Sequence, residues 1–243
     1  MSASSLFLND VSVSYTDKPV IREINLDIKA GEVFGLMGLN GAGKTTLIKA
    51  ILGLKEQTSG EISIFGKNKL SKESKLKLSY LPEKFEPPYF LSGMEFMHFS
   101  LQLYNKKFDK NRIIEAAEFL ALDTGALNRR MNTYSKGMRQ KLGLMATMLT
   151  DCPLLILDEP MSGLDPLARS MVKKMINKVK KADHTIFLSS HILADMDEIC
   201  DRVAVLHNGV LMYVGSPQDL KKQTSNNNLE QAFLDCIENK AVA

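Results

Sequence analysis

The chain has only three cysteines, Cys152, Cys200 and Cys236, far apart and without a C-x-x-C spacing. A disulfide framework and a thiolate metal site are both excluded, and reduced thiols in a cytosolic protein are expected. Excess charge is also missing. Thirty-one basic residues stand against 28 acidic ones, a formal +3, and the Lys and Arg residues are scattered rather than clustered. Such a balance carries no nucleic-acid footprint. No uncharged apolar run approaches the ~20 residues of a membrane-spanning helix. The opening Met-Ser-Ala-Ser-Ser lacks the basic and apolar regions of a secretion signal. The expectation is a soluble protein that reaches a membrane only through a partner. No internal repeat is visible. The 243 residues are 44% hydrophobic, which suffices for a proper core in one large or two small domains.

What the chain does have begins at Val33-Phe-Gly-Leu-Met-Gly-Leu-Asn-Gly-Ala-Gly-Lys-Thr-Thr-Leu47. This stretch reads as a buried strand, a glycine-rich turn and the start of a helix. Gly38, Gly43, Lys44 and Thr45 fill the pattern G-x-x-x-x-G-K-[ST]. A polyphosphate is wrapped only if successive backbone N–H groups point inward, which needs angles that Gly41 and Gly43 adopt cheaply. Lys44 supplies a point charge for the β- and γ-phosphates. Thr45 is placed to hold Mg²⁺, and the helix beginning near Lys44 turns its positive end to the anion. A guanine-specific Asn-Lys-x-Asp is absent: Asn-Lys occurs at 68, 105, 177 and 239, never with Asp in fourth place.

Upstream, Val11, Val13 and Tyr15 alternate with Ser12 and Ser14, and Ile24, Leu26 and Ile28 alternate with polar residues. Two half-buried strands follow, antiparallel because their connection is too short for a helix. Leu47 to Leu52 continue the loop's helix to Gly53. Glu61 to Phe65 and Lys77 to Leu81 read as short strands. Pro82, Pro87 and Pro88 then break the backbone into an extended segment presenting Phe85, Tyr89 and Phe90. Ser92-x-x-Glu95 is a capping box opening a helix whose Met94, Phe96 and Phe99 belong to a core. Asp109 caps a second helix, and a third runs from about Lys136 to Leu149. Residues 87–150 thus form a helical insertion between parts of a sheet. The α/β alternation resumes with Leu154-Leu-Ile-Leu157, a fully apolar strand suited to a parallel sheet. Asp165-Pro166 starts a helix, Ile186 to Leu188 is a strand, and Arg202 to Val214 is a hairpin about Asn208-Gly209. Residues 223–228 are a polar linker before an amphipathic helix with Leu229, Phe233, Leu234 and Ile237.

Asp158 and Glu159 end the apolar strand at its carboxyl edge, where open α/β sheets bind ligands. The expected division is a metal-holding Asp158, acting through water, and a water-positioning base, Glu159. Other residues read two ways by themselves. Tyr15 is a strand-end tyrosine or a stacking ring, His191 a structural histidine or a phosphate contact, and Ser135 with Gly137 a helix cap or an anion site.

With these elements in this order, the sequence resembles an ATP-binding-cassette (ABC) ATPase from Leu6 to about Leu220. Gly38 to Thr46, with Asn40, Gly41, Ala42, Gly43, Lys44, Thr45 and Thr46, match the phosphate loop, or Walker A motif. Leu154 to Glu159 match the second nucleotide motif, Ser162-Gly-Leu-Asp165 the D-loop at the dimer contact, His191 the switch histidine, and Tyr134-Ser135-Lys136-Gly137-Met138 the signature. The resemblance implies a P-loop α/β fold: a mainly parallel mixed sheet flanked by helices, an N-terminal antiparallel β region and a helical subdomain. It implies one ATPase domain over residues 1–222, followed by the linker and short helix of 223–243. ATP and Mg²⁺ are the implied cofactors. Tyr15 would stack on adenine, Lys44, Glu159 and His191 would serve catalysis, and Thr45, Glu83 and Asp158 would attend the metal. Two copies, or a pair of such ATPases, would pack head to tail, with Ser135 and Gly137 meeting the γ-phosphate held by the other protomer.

Departures from the family pattern are as informative. Glu83 stands where the Q-loop glutamine belongs, offering only acceptors and a negative charge where an amide also donates. Lys136 and Met138 replace the commonest Gly and Gln of the signature. Tyr-Ser-x-Gly-Met-x-Gln, Leu81-Pro-Glu83 and the tail from Asn228 to Phe233 are each similar to exporter ATPases paired with type-two ABC permeases. The expectation is an ATPase subunit on the inner face of the cytoplasmic membrane, held by a permease that contacts Phe85, Tyr89 and Phe90. The alternative is a soluble ABC ATPase of an assembly machinery, such as one for iron–sulfur clusters.

Overall fold

A computed structural model describes residues 4–15 and 18–239; the expected tail therefore extends, at 240–243, beyond the described residues. Chain order is β1 (Ser4–Ser14), β2 (Pro19–Lys29), β3 (Val33–Met37), α1 (Lys44–Ile51), β4 (Ser59–Ile64), β5 (Lys67–Asn68), α2 (Lys72–Leu76) and β6 (Leu78–Leu81). Helices α3 (Gly93–Leu103), α4 (Lys110–Phe119) and α5 (Lys136–Met148) follow, with two short 3₁₀ turns between α4 and α5. The remainder is β7 (Leu154–Asp158), α6 (Pro166–Lys180), β8 (Thr185–Ser189), α7 (Leu193–Ile199), β9 (Arg202–His207), β10 (Val210–Gly215), α8 (Pro217–Gln223) and α9 (Leu229–Asn239).

Two sheets result. An antiparallel one has the order β2-β1-β4-β5, and a six-stranded one has the order β10-β9-β3-β8-β7-β6, parallel except for the β9–β10 hairpin. The central strands alternate between two hydrophobic cores, as a period of two demands. Val33 and Met37 of β3, Leu155 and Leu157 of β7, and Ile186 and Leu188 of β8 face the helical side. Phe34, Leu36, Leu154, Ile156 and Phe187 face α1 and the antiparallel sheet, where Phe34 and Phe187 stack with centroids 6.0 Å apart. This is the layout expected from the sequence: a mainly parallel mixed sheet flanked by helices, an antiparallel β region and a helical subdomain.

Three expectations change. The helix α9 is not set apart by its polar linker: Leu229, Ala232, Phe233 and Ile237 are buried in the same core as α5, α6 and α7. Phe85 does not point outward with Tyr89 and Phe90. It turns edge-on to Phe96, 5.5 Å between centroids, and lies against Gly143 of α5, where a Cβ would come within 2.9 Å of its ring. Phe99, expected in the core, is instead exposed on the outer face of α3. Among the described residues no helix is long and apolar enough to cross a membrane.

Candidate functional site

The four neighbouring parallel strands β3, β8, β7 and β6 end along one edge, and each delivers its following residues there. β3 gives the phosphate loop, β8 Ser189 to His191, β7 Asp158 and Glu159, and β6 Glu83. Together they line a cavity of about 530 Å³ with Val20, Leu39, Asn40, Gly41, Gly43, Lys44, Thr45, Thr46, Glu83, Asp158, Glu159 and His191 on its walls. That size lies within the range of small-molecule sites.

The loop's curvature has local causes. Gly41 and Gly43 have φ of 82° and 110°. A Cβ on Gly38 would lie 2.6 Å from the Leu206 carbonyl, so the loop can pass the β9 strand only without a side chain there. Gly43 is the N-cap of α1 and no side chain caps its first turn, so the N–H groups at this helix start keep their capacity for an anion. Lys44 is buried along the loop, its Nζ donating to the carbonyls of Gly38 at 2.7 Å and Leu39 at 3.3 Å. Gly38 and Ala42 shape the loop without lining the cavity.

Across from the loop, β7 and β8 run parallel with Asp158 paired to Ser189 in register. The Ser189 hydroxyl donates to Asp158 Oδ1 and accepts from the backbone N–H of Glu159 at 3.1 Å. One serine thereby fixes both carboxylate residues. Glu159 has a positive φ of 50°, which turns its buried side chain to His191, whose Nδ1 lies 2.7 Å from Glu159 Oε2. Burial raises the Asp158 pKa, the Ser189 hydrogen bond opposes it, and the charges of Glu83 and Glu159 push it further up against Lys44. Tyr80, on β6, is pushed up to about 12 by burial and by the charges of Asp158 and Glu83.

This surplus of negative charge suits a divalent cation. Among the described residues, however, no three His, Cys, Asp or Glu side chains converge as a self-sufficient metal site. The hydroxyl and carboxylate oxygens of Thr45, Asp158 and Glu83 are hard donors that fit Mg²⁺, which takes one or two protein ligands and completes its shell with phosphate and water. Thr45, Asp158 and Glu83 all face the same cavity.

Other predicted residues stand apart from it. Tyr15 is exposed and does not line the cavity; Lys55 Nζ sits over its ring, 4.6 Å from the centroid. Ser135 is an exposed N-cap of α5, its hydroxyl accepting from Met138 N–H at 3.2 Å, and Gly137 lies two residues on, within the first turn. Neither lines the cavity of its own chain; Leu164, in the 162–165 turn, approaches the Gly137 Cβ position at 3.7 Å. Asp165 caps α6 by accepting from Ala168 N–H at 2.8 Å. Ser189 was not singled out in the sequence; Gln140, the last residue of the Tyr-Ser-x-Gly-Met-x-Gln match, donates from its buried Nε2 to the Pro160 carbonyl and ties α5 to the turn after Glu159.

Comparison with known proteins identifies the family. The ABC transporter family profile matches residues 21–162. An uncharacterized ABC transporter ATP-binding protein of Synechocystis sp. is 39% identical over 81% of this chain and 56% of its own length. The Nod factor export ATP-binding protein I of Rhizobium meliloti is 36% identical over 86% of this chain and 64% of its own. The chain thus spans a little over half to two thirds of the length of these relatives. A solved structure of the ATP-binding subunit of an ABC transporter superposes with a TM-score of 0.90 at 31% identity, covering 96% of this chain and all of that one.

Proposed function

The chain belongs to the ABC transporter family, and from that premise we propose that it binds and hydrolyses ATP as the motor subunit of a membrane exporter. The observation that carries this reading is the convergence, at one sheet edge, of the phosphate loop with Asp158, Glu159 and His191. The export relative supports transport over the soluble assembly alternative.

In this reading the loop N–H groups and Lys44 hold the phosphates. To do so the Lys44 ammonium exchanges its carbonyl partners for phosphate oxygens. Thr45, Asp158 and Glu83 hold Mg²⁺, which when bound neutralises charge on the transferring phosphoryl group. Glu159 orients the attacking water and takes its proton, and His191, hydrogen-bonded to Glu159, fixes the direction of that carboxylate. Tyr15 stacks on adenine with its exposed ring. Ser135 and Gly137, on a helix terminus outside the cavity of their own chain, meet the γ-phosphate of a second protomer, with Asp165 at the contact between the two. ATP then holds the pair together, and hydrolysis releases it.

The permease contact is narrowed to Tyr89 and Phe90, with Phe85 supporting them from beneath. Tyr89 carries Arg139 of α5 over its ring at 5.7 Å, so a push on Tyr89 reaches the helix that bears Ser135. Through this contact the protein would lie on the inner face of the cytoplasmic membrane. The test is purification together with its permease. Mg²⁺-dependent ATP turnover should be lost in Lys44→Ala, and transport but not turnover should be lost in Tyr89→Asp with Phe90→Asp. A complex that turns over no ATP contradicts the enzymatic reading. Transport that survives the double substitution contradicts the contact.

A further inference from the structure

Between β4 and β6 the fold turns its polarity inside out. Lys69 is buried, its Nζ donating to the carbonyl of Ala50 and to Gln57, while the adjacent Leu70 is 51% exposed. In α2 the buried residue is Ser74, whose hydroxyl donates to the Asn68 carbonyl at 2.8 Å, while Leu76 is 41% exposed. The outer face of α3 repeats the pattern one element away: Phe99 and Leu103, four residues apart and so on one side of the helix, are 47% and 62% exposed. Leu70, Leu76 and Leu103 share the wall of one shallow depression with Lys72, Lys75 and Tyr104. Burial of apolar surface would place these leucines inside and the lysine and serine outside. The local hydrogen bonds hold the reverse arrangement, so the apolar surface is fixed outward.

The charge around this surface is mainly basic, although the exposed acid Glu56 shares a neighbouring depression with Leu70. Residues 67–77 contain five lysines and a single acid, Glu73, which Lys67 already approaches at 3.5 Å. Exposed Lys106 and Lys107 follow three and four residues beyond Leu103. Across the whole chain the basic residues are scattered, but here the fold gathers them around leucines. Nucleic acid would match the lysines and leave the leucines in water. A bilayer surface rich in anionic headgroups satisfies both, leucine and phenylalanine entering the headgroup boundary while lysines extend to the phosphates.

We propose that the surface formed by Leu70, Leu76, Phe99 and Leu103, with Lys72 and Lys75, binds anionic lipid headgroups directly, so that the ATPase subunit touches the membrane without its permease. The site lies outside the nucleotide cavity, and its test needs neither nucleotide nor permease; its failure leaves the ATPase reading untouched. The full chain is sedimented with vesicles of mixed phosphatidylglycerol and phosphatidylcholine, and with phosphatidylcholine alone. Pelleting is expected with the anionic vesicles only, and should fall as salt is raised. Lys72→Glu with Lys75→Glu should weaken it about tenfold or more, since each lysine near an anionic surface contributes about a factor of five. Leu76→Ser with Leu103→Ser should weaken it as well, and both double variants should keep the wild-type far-UV circular dichroism spectrum as evidence of folding. Absence of pelleting with anionic vesicles, equal pelleting with both vesicle types, or binding that survives either double substitution overturns the proposal.

Discussion

Ser189 shows how one hydroxyl sets two carboxylates. It donates to Asp158 and accepts from the backbone of Glu159, so its loss frees the Asp158 carboxylate and leaves the Glu159 N–H with the Ser189 carbonyl alone, at 3.2 Å. Ser189→Ala should lower kcat about ten- to a hundredfold, the scale of one hydrogen bond to a charged group, with a much smaller change in the KM for ATP. Steady-state kinetics check this, and an unchanged kcat would remove the positioning role. Asp158 makes an opposite kind of prediction. Its folded pKa is raised, so the folded state holds this proton more tightly than the unfolded chain does. The resulting stabilisation is complete below the ordinary carboxylate pKa and is lost as pH rises through the folded value. At neutral pH the ionised group is therefore a cost in the nucleotide-free protein. Asp158→Asn keeps an acceptor for Ser189 and removes the charge, and it should raise Tm at neutral pH while abolishing Mg²⁺-dependent turnover. A lower Tm would contradict the assignment. At Tyr15 the exposed ring leaves a stacking face for adenine, and Tyr15→Ala should weaken ATP binding by about 1–2 kcal/mol in calorimetry. Unchanged affinity would end its adenine role.

At the scale of elements, α9 is the least expected part of the core. Phe233 is buried, and Phe233→Ala should destabilise the fold by about 3 kcal/mol in denaturant unfolding. A loss below about 1 kcal/mol would mean that α9 packs loosely. The sequence reading of a polar linker at 223–228 and a short helix after it left the docking of that helix open, because a polar linker says nothing of where the following helix packs. The parallel strands were legible: Leu154 to Leu157 is apolar on both faces because both faces are covered, and Asn208-Gly209 marks a hairpin. The five-residue α2 and the two-residue β5 were not legible, since neither is long enough to show a period. Phe85 and Phe99 exchanged their expected places for a related reason. Which face of an extended segment turns inward depends on Gly143, some sixty residues on in another helix. Ser189 was hidden likewise, because its meaning arises only when the β7–β8 register sets it beside Asp158.

For the whole molecule, the phosphate loop, Asp158, Glu159, His191 and Glu83 form one cavity within a single chain, while Ser135 and Gly137 do not line it. In the proposed reading their anion is held by another copy, which makes pairing part of the chemistry. Glu159→Gln keeps the side chain's shape and the acceptor oxygen near His191 but removes the base. The decisive quantity is the mass of this variant in solution, measured by light scattering with Mg-ATP and then with Mg-ADP. A doubled mass in ATP that returns to the single-chain value in ADP is the expected result; the same mass in both nucleotides would contradict a pair held together by the terminal phosphate.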